Sequence, residues 1–510
     1  MELETREEAI LYSSQYDLPV TSEGGGEYTM PDYYPEIRRV VSVQATALPD
    51  SKFLSGNLLE FGGTLAFSVL YIGDDGSLCC APYACEYSGN CQLPGEVRGG
   101  GAVIHVETWA ESPGCRVLAP RTLSLKARLR SRVTADEAVV YACRTADTDG
   151  ERVGPADLAT LEKLTGTVDT VQRGYASATG SVTGELRERP GTAPISCSGT
   201  VQVADTAAGK DVLKINGEIC IHLIALGADG LYTPIHGRIP FTEELMAEGA
   251  AEGDRVAAWG RVASVSVQAD SDTGVLHVEA EYDLTGIWMK GSTVTVTRDA
   301  YSTAYDAQTH HTDIGVLRQL CCENGALTLS GSSQRQSAAR ANDYLIDITA
   351  NPVVEKVEWR DRRPVFSGNC AIKAYIASDG DVVCEEFVIP LKYEARTGEG
   401  DAPQDILWQT VCSVTDASGR LDGDRISAVA ELCVAAHAVE RSLQSPVSEV
   451  VLDRYAKHED ADATVRVCFP EPGQCLWDIA KRCRADATEA ERINRIPRGS
   501  ACDGKPLIIR

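Results

Sequence analysis

A chain of 510 residues exceeds what one hydrophobic core usually serves, so three or four domains is the starting expectation. Its 43% apolar content is ordinary for folded protein, and no run approaches the roughly 18 consecutive apolar residues of a membrane-spanning helix. A net charge of −26 with a pI near 4.8 argues strongly against nucleic acid or an anionic membrane surface as the main partner, since both need a cationic footprint.

The opening residues, Met-Glu-Leu-Glu-Thr-Arg-Glu-Glu, are acidic where a secretory signal is basic, and no apolar core follows them. The chain is expected to remain in the cytosol where it is made. Its 18 cysteines are sparse for a disulfide scaffold, contain no Cys-x-x-Cys, and read as buried reduced thiols rather than a zinc site.

In chain order, an apolar run climbs three times into an Asp-Gly turn and returns as a second strand. The runs are 65–72, 219–226 and 370–376, and the turns are Asp75-Gly76, Asp229-Gly230 and Asp379-Gly380. Asp-Gly between apolar strands predicts a type I′ hairpin, with positive φ at both central residues. The turn glycines are 154 and 150 residues apart, a period that fits tandem domains rather than a solenoid.

The flanks repeat as well. Gly63, Gly217 and Gly368 precede the turns, where each can admit a bulge or a tight entry. The triplets Cys85-Glu86-Tyr87, Ile239-Pro240-Phe241 and Ile389-Pro390-Leu391 follow, and Gly95, Gly249 and Gly398 close the return segments. Each second half then reads as strand, polar turn and longer strand, with turns expected at 112–114, 270–274 and 416–424. Copies two and three end alike, at Asp299-Ala300-Tyr301 and Asp453-Arg454-Tyr455. Helix is sparse: 155–164 and 242–248 are the expected short helices. The fold class is mainly β, as tandem β-sandwich-like units over 1–148, 149–305 and 306–455.

These features resemble the SPOCS domain of endospore-forming Firmicutes: the apolar run into Asp-Gly, the Ile-Pro-Phe triplet, the closing Asp-Ala-Tyr-Ser-Thr, and the opening Met30-Pro31-Asp32-Tyr33-Tyr34-Pro35-Glu36-Ile37. The resemblance covers roughly residues 25 to 455 and implies a role in the spore coat.

Beyond Tyr455 a charged, Ala-rich stretch at 456–463 reads as a linker. Residues 464–510 carry nine Lys/Arg against six Asp/Glu, a net of +3, which leaves −29 on the rest. Val465, Val467 and Phe469 alternate as a half-buried strand. Leu476, Ile479 and Ala480 mark one helix face, 487–493 a second helix, and Leu507, Ile508 and Ile509 a last strand. Strand, helix, helix, strand, with Pro-Gly-x-x-Leu-Trp-x-Ile-Ala at the first turn, Asn494 closing the second helix and Gly-x-x-Leu-x-Ile at the end, resembles a small α+β LysM module.

That resemblance implies binding of N-acetylglucosamine-containing glycan such as peptidoglycan. By position the groove comprises Gly473, Gln474, Cys475 and Leu476 on one side and Ile496, Pro497 and Arg498 on the other. Where the family commonly has Gly-Asp-Thr-Leu, this chain has Gly473-Gln474-Cys475-Leu476, which removes an N-cap and two polar groups suited to glycan recognition. Trp477 is expected to pack rather than stack on a sugar, and Cys468, Cys475, Cys483 and Cys502 to be free thiols.

Other motifs are weak. His310-His311-Thr312-Asp313 reads as a polar linker rather than a metal site. Asp270-Ser271-Asp272-Thr273-Gly274 imitates a calcium loop but lacks its later ligands, and reads as a hairpin turn. No P-loop, Gly-x-Ser-x-Gly or His-Glu-x-x-His is present.

The expected function is a non-enzymatic scaffold without cofactor or metal, made in the mother cell and acting at the forespore surface. Its expected partner is a spore morphogenetic protein, such as the ATPase of the coat's base layer; peptidoglycan of cortex or wall is the alternative. A LysM-targeted wall enzyme would need a catalytic domain that the threefold repeat does not accommodate.

Overall fold

The computed structural model describes residues 6–93, 102–151, 153–270, 272–396, 398, 402–458, 465–502 and 504–510. Gly95, Ser271, and most of the expected linker at 456–463 lie outside them.

The chain is mainly β, and one strand order recurs three times. First come β1 (Arg6–Thr29), β2 (Ile37–Ser55), β3 (Leu58–Gly73), β4 (Leu78–Gln92), β5 (Val103–Ala119) and β6 (Thr122–Asp147). After α1 (Pro155–Leu158) follow β7 (Leu161–Arg187), β8 (Ala193–Gly209), β9 (Val212–Leu226), β10 (Tyr232–Met246), β11 (Arg255–Asp270) and β12 (Val275–Ser302). The third set is β13 (Tyr305–His311), β14 (Ile314–Gln334), β15 (Tyr344–Arg360), β16 (Arg363–Ser378), β17 (Asp381–Glu394), β18 (Ile406–Asp422), β19 (Arg425–Gln444) and β20 (Val447–Lys457).

In each set a three-stranded meander, such as β8-β9-β10, faces a sheet in which the opening strand pairs with the last long strand, as β7 does with β12. Strand alternation builds the core between them. Leu213, Ile215, Ile219, Ile221, Leu223 and Ala225 of β9 point inward with Leu276, Val278, Ala280, Tyr282 and Leu284 of β12. In the third set the long ladder breaks once and resumes: β14 pairs with β19, and β13 with β20, with the Thr312 N–H reaching Pro446 O at 3.2 Å across the gap.

The early glycines have one shared reason. Opposite Gly63, Gly217 and Gly368 the neighbouring strand bulges, between Pro49 and Ser51, Val203 and Asp205, and Val354 and Lys356. A Cβ on those glycines would come within 2.1, 2.2 and 2.0 Å of the carbonyl oxygens of Leu48, Gln202 and Val353. On the other side each glycine pairs with the third residue of its triplet, Tyr87, Phe241 or Leu391, all buried, and at Gly217 the Phe241 ring lies over the space left by the missing side chain.

Several local expectations are corrected. Only the third Asp-Gly turn has positive φ at both residues, Asp379 at 48° and Gly380 at 76°. The first two are longer loops in which only the glycine is left-handed, Gly76 N–H bonding Gly73 O and Gly230 N–H bonding Gly227 O. Asp75 and Asp229 accept from the backbone two residues on, which holds those loops without a type I′ geometry. Residues 112–114 form a bulge inside β5, and the chain turns at Pro120-Arg121 instead. Residues 242–246 belong to β10, because Thr242 and Leu245 pair with Asn216 and Leu213 of the buried β9. Of the helix expected at 155–164 only the four residues of α1 form, since β7 begins at Leu161.

The three sets are packed together at three levels. At the Asp-Gly tips, Leu70, Ile72 and Leu78, Ile224, and Ile346, Tyr375 and Val382 form one apolar cluster. There the Leu78 N–H donates to Tyr232 Oη at 3.2 Å, the Tyr232 N–H to Tyr344 Oη at 3.1 Å, and Arg39 to Val382 O at 2.6 Å.

Midway, Trp259, Ile287 and Met289 meet Leu317, Cys322, Val411 and Val439. Buried polar groups run through this level: Arg173 makes a two-bond ion pair with Asp136 at 2.6 and 2.7 Å, and Glu107 accepts from Trp259 Nε1 at 3.0 Å and from Arg261. Burial alone would raise the Glu107 carboxyl, but the Arg261 cation and the neighbouring His105 and Trp259 rings hold it below its usual range.

At the far end β20 runs parallel to the tail of β6, and Leu11, Val168, Val296, Val316 and Val450 close the cluster. Tyr141 Oη donates to Val447 O at 2.9 Å and accepts from the Thr297 N–H at 3.0 Å, so one hydroxyl ties β6, β12 and β20.

The chain ends with β21 (Arg466–Cys468), α2 (Leu476–Cys483), α3 (Ala487–Asn494) and β22 (Leu507–Ile509), β21 and β22 pairing antiparallel. Among the described residues no helix is long and apolar enough to cross a membrane.

Candidate functional site

The C-terminal segment folds around a small core that it shares with Tyr301 of β12. Leu476, Ile479 and Ala480 of α2, Ala487 and Ala490 of α3, and Leu507 and Ile509 of β22 are buried together. Both helices end on an arginine in the left-handed region, Arg484 and Arg495, a position usually given to glycine. Asn494 compensates after α3: its amide bonds Ala490 O and both backbone groups of Ile508, fastening the helix end to β22.

The two stretches expected to form a groove lie side by side. The Trp477 N–H bonds Arg498 O at 2.8 Å, the Leu476 N–H bonds Ser500 O at 3.4 Å, and the Cys502 N–H bonds Gln474 O at 3.1 Å. Gly473 and Pro497 are exposed at this lip, Gln474, Cys475, Ile496 and Arg498 are half-buried, and Leu476 is buried in the core. Gln474 turns its side chain back, its Oε1 accepting from the Glu471 N–H at 3.0 Å. The start of α2 is not left uncapped as the sequence suggests. Asp478 at the third helical position closes a capping box, its carboxylate reaching back to accept from the Cys475 N–H at 2.9 Å and the Cys475 thiol at 3.1 Å.

Arg498 does not reach into open solvent. Its guanidinium meets Glu491 at 3.1 Å, Thr488 at 3.2 Å and the Lys163 carbonyl of β7 at 3.4 Å. This is part of a wider seat on the second set of strands and the start of the third. Trp477 is buried against Tyr301, its Nε1 donates to Asp299 Oδ2 at 2.8 Å, and Lys481 bridges both Asp299 oxygens at 2.8 and 2.7 Å. The Tyr301 hydroxyl donates to Ala485 O at 2.6 Å, and Arg484 pairs with Asp306 at 3.1 Å. The closing Asp299-Ala300-Tyr301 is thus the docking edge for the tail. Sequence reading singled the motif out but gave it no partner; the net +3 of the tail against the acidic remainder was the available signal.

The first strand of the segment inverts its expected alternation. Val465, Val467 and Phe469 point outward, 50%, 58% and 72% exposed, and Cys468 points in. Val467 pairs directly with Ile508, itself 43% exposed, so an apolar strip faces solvent on the outer side of β21 and β22. The reason is length: with only three paired residues, register is set by Leu507 and Ile509 entering the core, and the partner strand must follow.

Elsewhere the candidate chemistry is structural. Asp270 Oδ1 and Oδ2 are taken by the Asp272 N–H and the Thr273 hydroxyl, which fixes the turn before β12. His311 Nδ1 lies 2.9 Å from Ser445 O at the break between β13 and β14. Among the described residues no three His, Cys, Asp or Glu gather to hold a metal ion. Two shallow surface grooves, of about 420 and 520 Å³, lie on β7, β11 and β12 and between β7, β12 and β14, away from the tail.

No protein-family model, curated protein or solved structure matches the chain.

Proposed function

We propose that this chain is a non-enzymatic scaffold of the endospore coat or envelope. Three SPOCS-like β-sandwich units form its body, and a LysM-like C-terminal module anchors it to a spore morphogenetic protein, the ATPase of the coat's base layer. The body offers acidic surface to other coat proteins while the basic module holds one partner, and linked weak contacts sum to avidity.

The observation that carries the choice of a protein partner is the outward strip of Val465, Val467, Phe469 and Ile508. Contiguous apolar surface is stabilised by burial, at about 25 cal/mol per Å² removed from water, and a protein surface matches it better than a hydroxyl-rich glycan. A second reading, binding of peptidoglycan, is favoured by the lip where 473–476 and 496–498 run side by side with Gly473 and Pro497 open to solvent. The test presents the full-length protein in parallel to purified peptidoglycan and to the purified ATPase. Saturable capture by the ATPase supports the proposal, and tight saturable sedimentation with the glycan overturns it.

A further inference from the structure

Cys468 closes β21 and Cys483 closes α2, and their sulfurs lie 3.4 Å apart although the residues are 15 positions apart in the chain. Both are half-buried free thiols, so a small oxidant reaches them. The elements that carry them are fixed independently. β21 is held by its pairing with β22, and α2 by its buried face of Leu476, Trp477, Ile479 and Ala480. An S–S bond is about 2.05 Å long, so closure asks for roughly 1.4 Å of approach along a direction in which the sulfurs already face each other. Burial and then the neighbouring Cys483 thiol hold the Cys468 thiol above its usual range, offset only in part by the Arg482 and Arg466 cations, so it is the proximity of the two sulfurs rather than thiolate character that favours closure.

We propose that Cys468 and Cys483 are a redox pair that closes to an intramolecular disulfide in the presence of a peroxide. One thiolate attacks a peroxide oxygen, the O–O bond breaks, and the sulfur becomes a sulfenic acid while the released hydroxide takes up the proton the thiol gave, leaving as water. The second thiol attacks that sulfur, the S–O bond breaks, and the oxygen leaves as a second water with the second thiol's proton. Two thiols lose two electrons and one peroxide becomes two waters. The closed bond ties β21, with its outward apolar strip, to the end of α2, two residues before Ala485, whose carbonyl receives Tyr301. Oxidation therefore fixes the strip relative to the docked face of the tail. The pair stands apart from Cys475, whose thiol is engaged by the Asp478 carboxylate. The inference is independent of what the tail binds.

The test treats the full-length protein with hydrogen peroxide, quenches with iodoacetamide and maps peptides by mass spectrometry without reduction. The expected result is a Cys468–Cys483 linked peptide as the main cross-link, with Cys475 still alkylated, and loss of that link in Cys468→Ser and in Cys483→Ser. Full alkylation of both thiols, or bridges from either to other cysteines or to a second molecule, overturns it. Amide exchange in α2 of the oxidised wild-type protein should slow at least several-fold relative to the reduced form. Unchanged exchange contradicts the clamp even where the bond forms.

Discussion

Trp477 donates its indole N–H to the Asp299 carboxylate at 2.8 Å, so the largest fully buried side chain of the tail is held by a residue 178 positions earlier. Asp299 and Asp453 sit at matching ends of two long ladders, yet they do different work. Asp453 accepts from the N–H groups of Tyr455 and Ala456, and its neighbour Arg454 pairs with Asp147 at 3.2 Å. The same closing motif seats the tail in one copy and shapes a bulge in β20 in the other.

Trp477→Phe keeps an aromatic ring against Tyr301 but leaves Asp299 without the indole donor. Losing one charge-assisted hydrogen bond of this kind costs about 1.5–3 kcal/mol. The expected outcome is faster amide exchange in α2 with the three β-sets unchanged, and Asp299→Asn, which also releases Lys481, should have the larger effect.

Tyr141→Phe removes the hydroxyl that serves both Val447 O and the Thr297 N–H. Two buried backbone groups then lose a partner, and a loss of about 1–3 kcal/mol is expected. Urea unfolding measures it. If the strand sets unfolded independently of one another, the midpoint would stay where it is.

Gly217→Ala places a Cβ 2.2 Å from Gln202 O and 2.7 Å from the Phe241 ring. Neither neighbour can yield without opening the bulge or the pairing with Phe241, so a destabilisation of about 1–3 kcal/mol is expected. Gly63→Ala and Gly368→Ala should act in the same direction, read as lowered thermal midpoints.

Acid should weaken the centre before it titrates most carboxylates. His437 is buried and held well below its usual range, by burial first and then by the Arg173 and Arg132 cations. Above about pH 6.5 neither folded nor unfolded chain protonates it. Below that only the unfolded chain does, so stability falls by up to about 1.4 kcal/mol per pH unit. His105, also lowered chiefly by burial, adds in the same direction. His222 runs the other way: burial opposes its charge, but the bond to Asp347 at 3.0 Å outweighs that and raises it. Its contribution is complete below pH 6.5 and is lost as pH rises. Thermal midpoints from pH 6.5 to 5 should therefore fall steeply in the wild-type protein and less steeply in His437→Gln.

How much of this was legible follows residue by residue. Alternation in 219–225 and the recurring Asp-Gly pairs revealed the β-rich hairpins, because strand period and turn chemistry are local. Gly217 was visible as a repeated glycine, but its reason, a carbonyl from a bulge fifteen residues earlier, depends on register. Residues 242–246 read as helix because local propensity outweighed the pull of β9, which only pairing reveals. At the tail, Leu476, Ile479 and Ala480 announced the helix face, and the alternation of Val465, Val467 and Phe469 was real, but its inward sense was set by β22. Tyr232, Tyr344, Tyr141 and the Arg173–Asp136 pair were not legible at all, since each joins segments more than 30 residues apart.

The central claim is that the tail recruits a protein through its outward strip. Its most direct test measures retention of the purified coat-base ATPase by the full-length protein carrying Val467→Asp with Phe469→Asp, beside Arg498→Ala. The account predicts at least tenfold weaker capture by the double variant with an unchanged thermal midpoint, and capture near wild-type for Arg498→Ala. Full retention by the double variant, or loss confined to Arg498→Ala, would contradict it and return the groove to the centre of recognition.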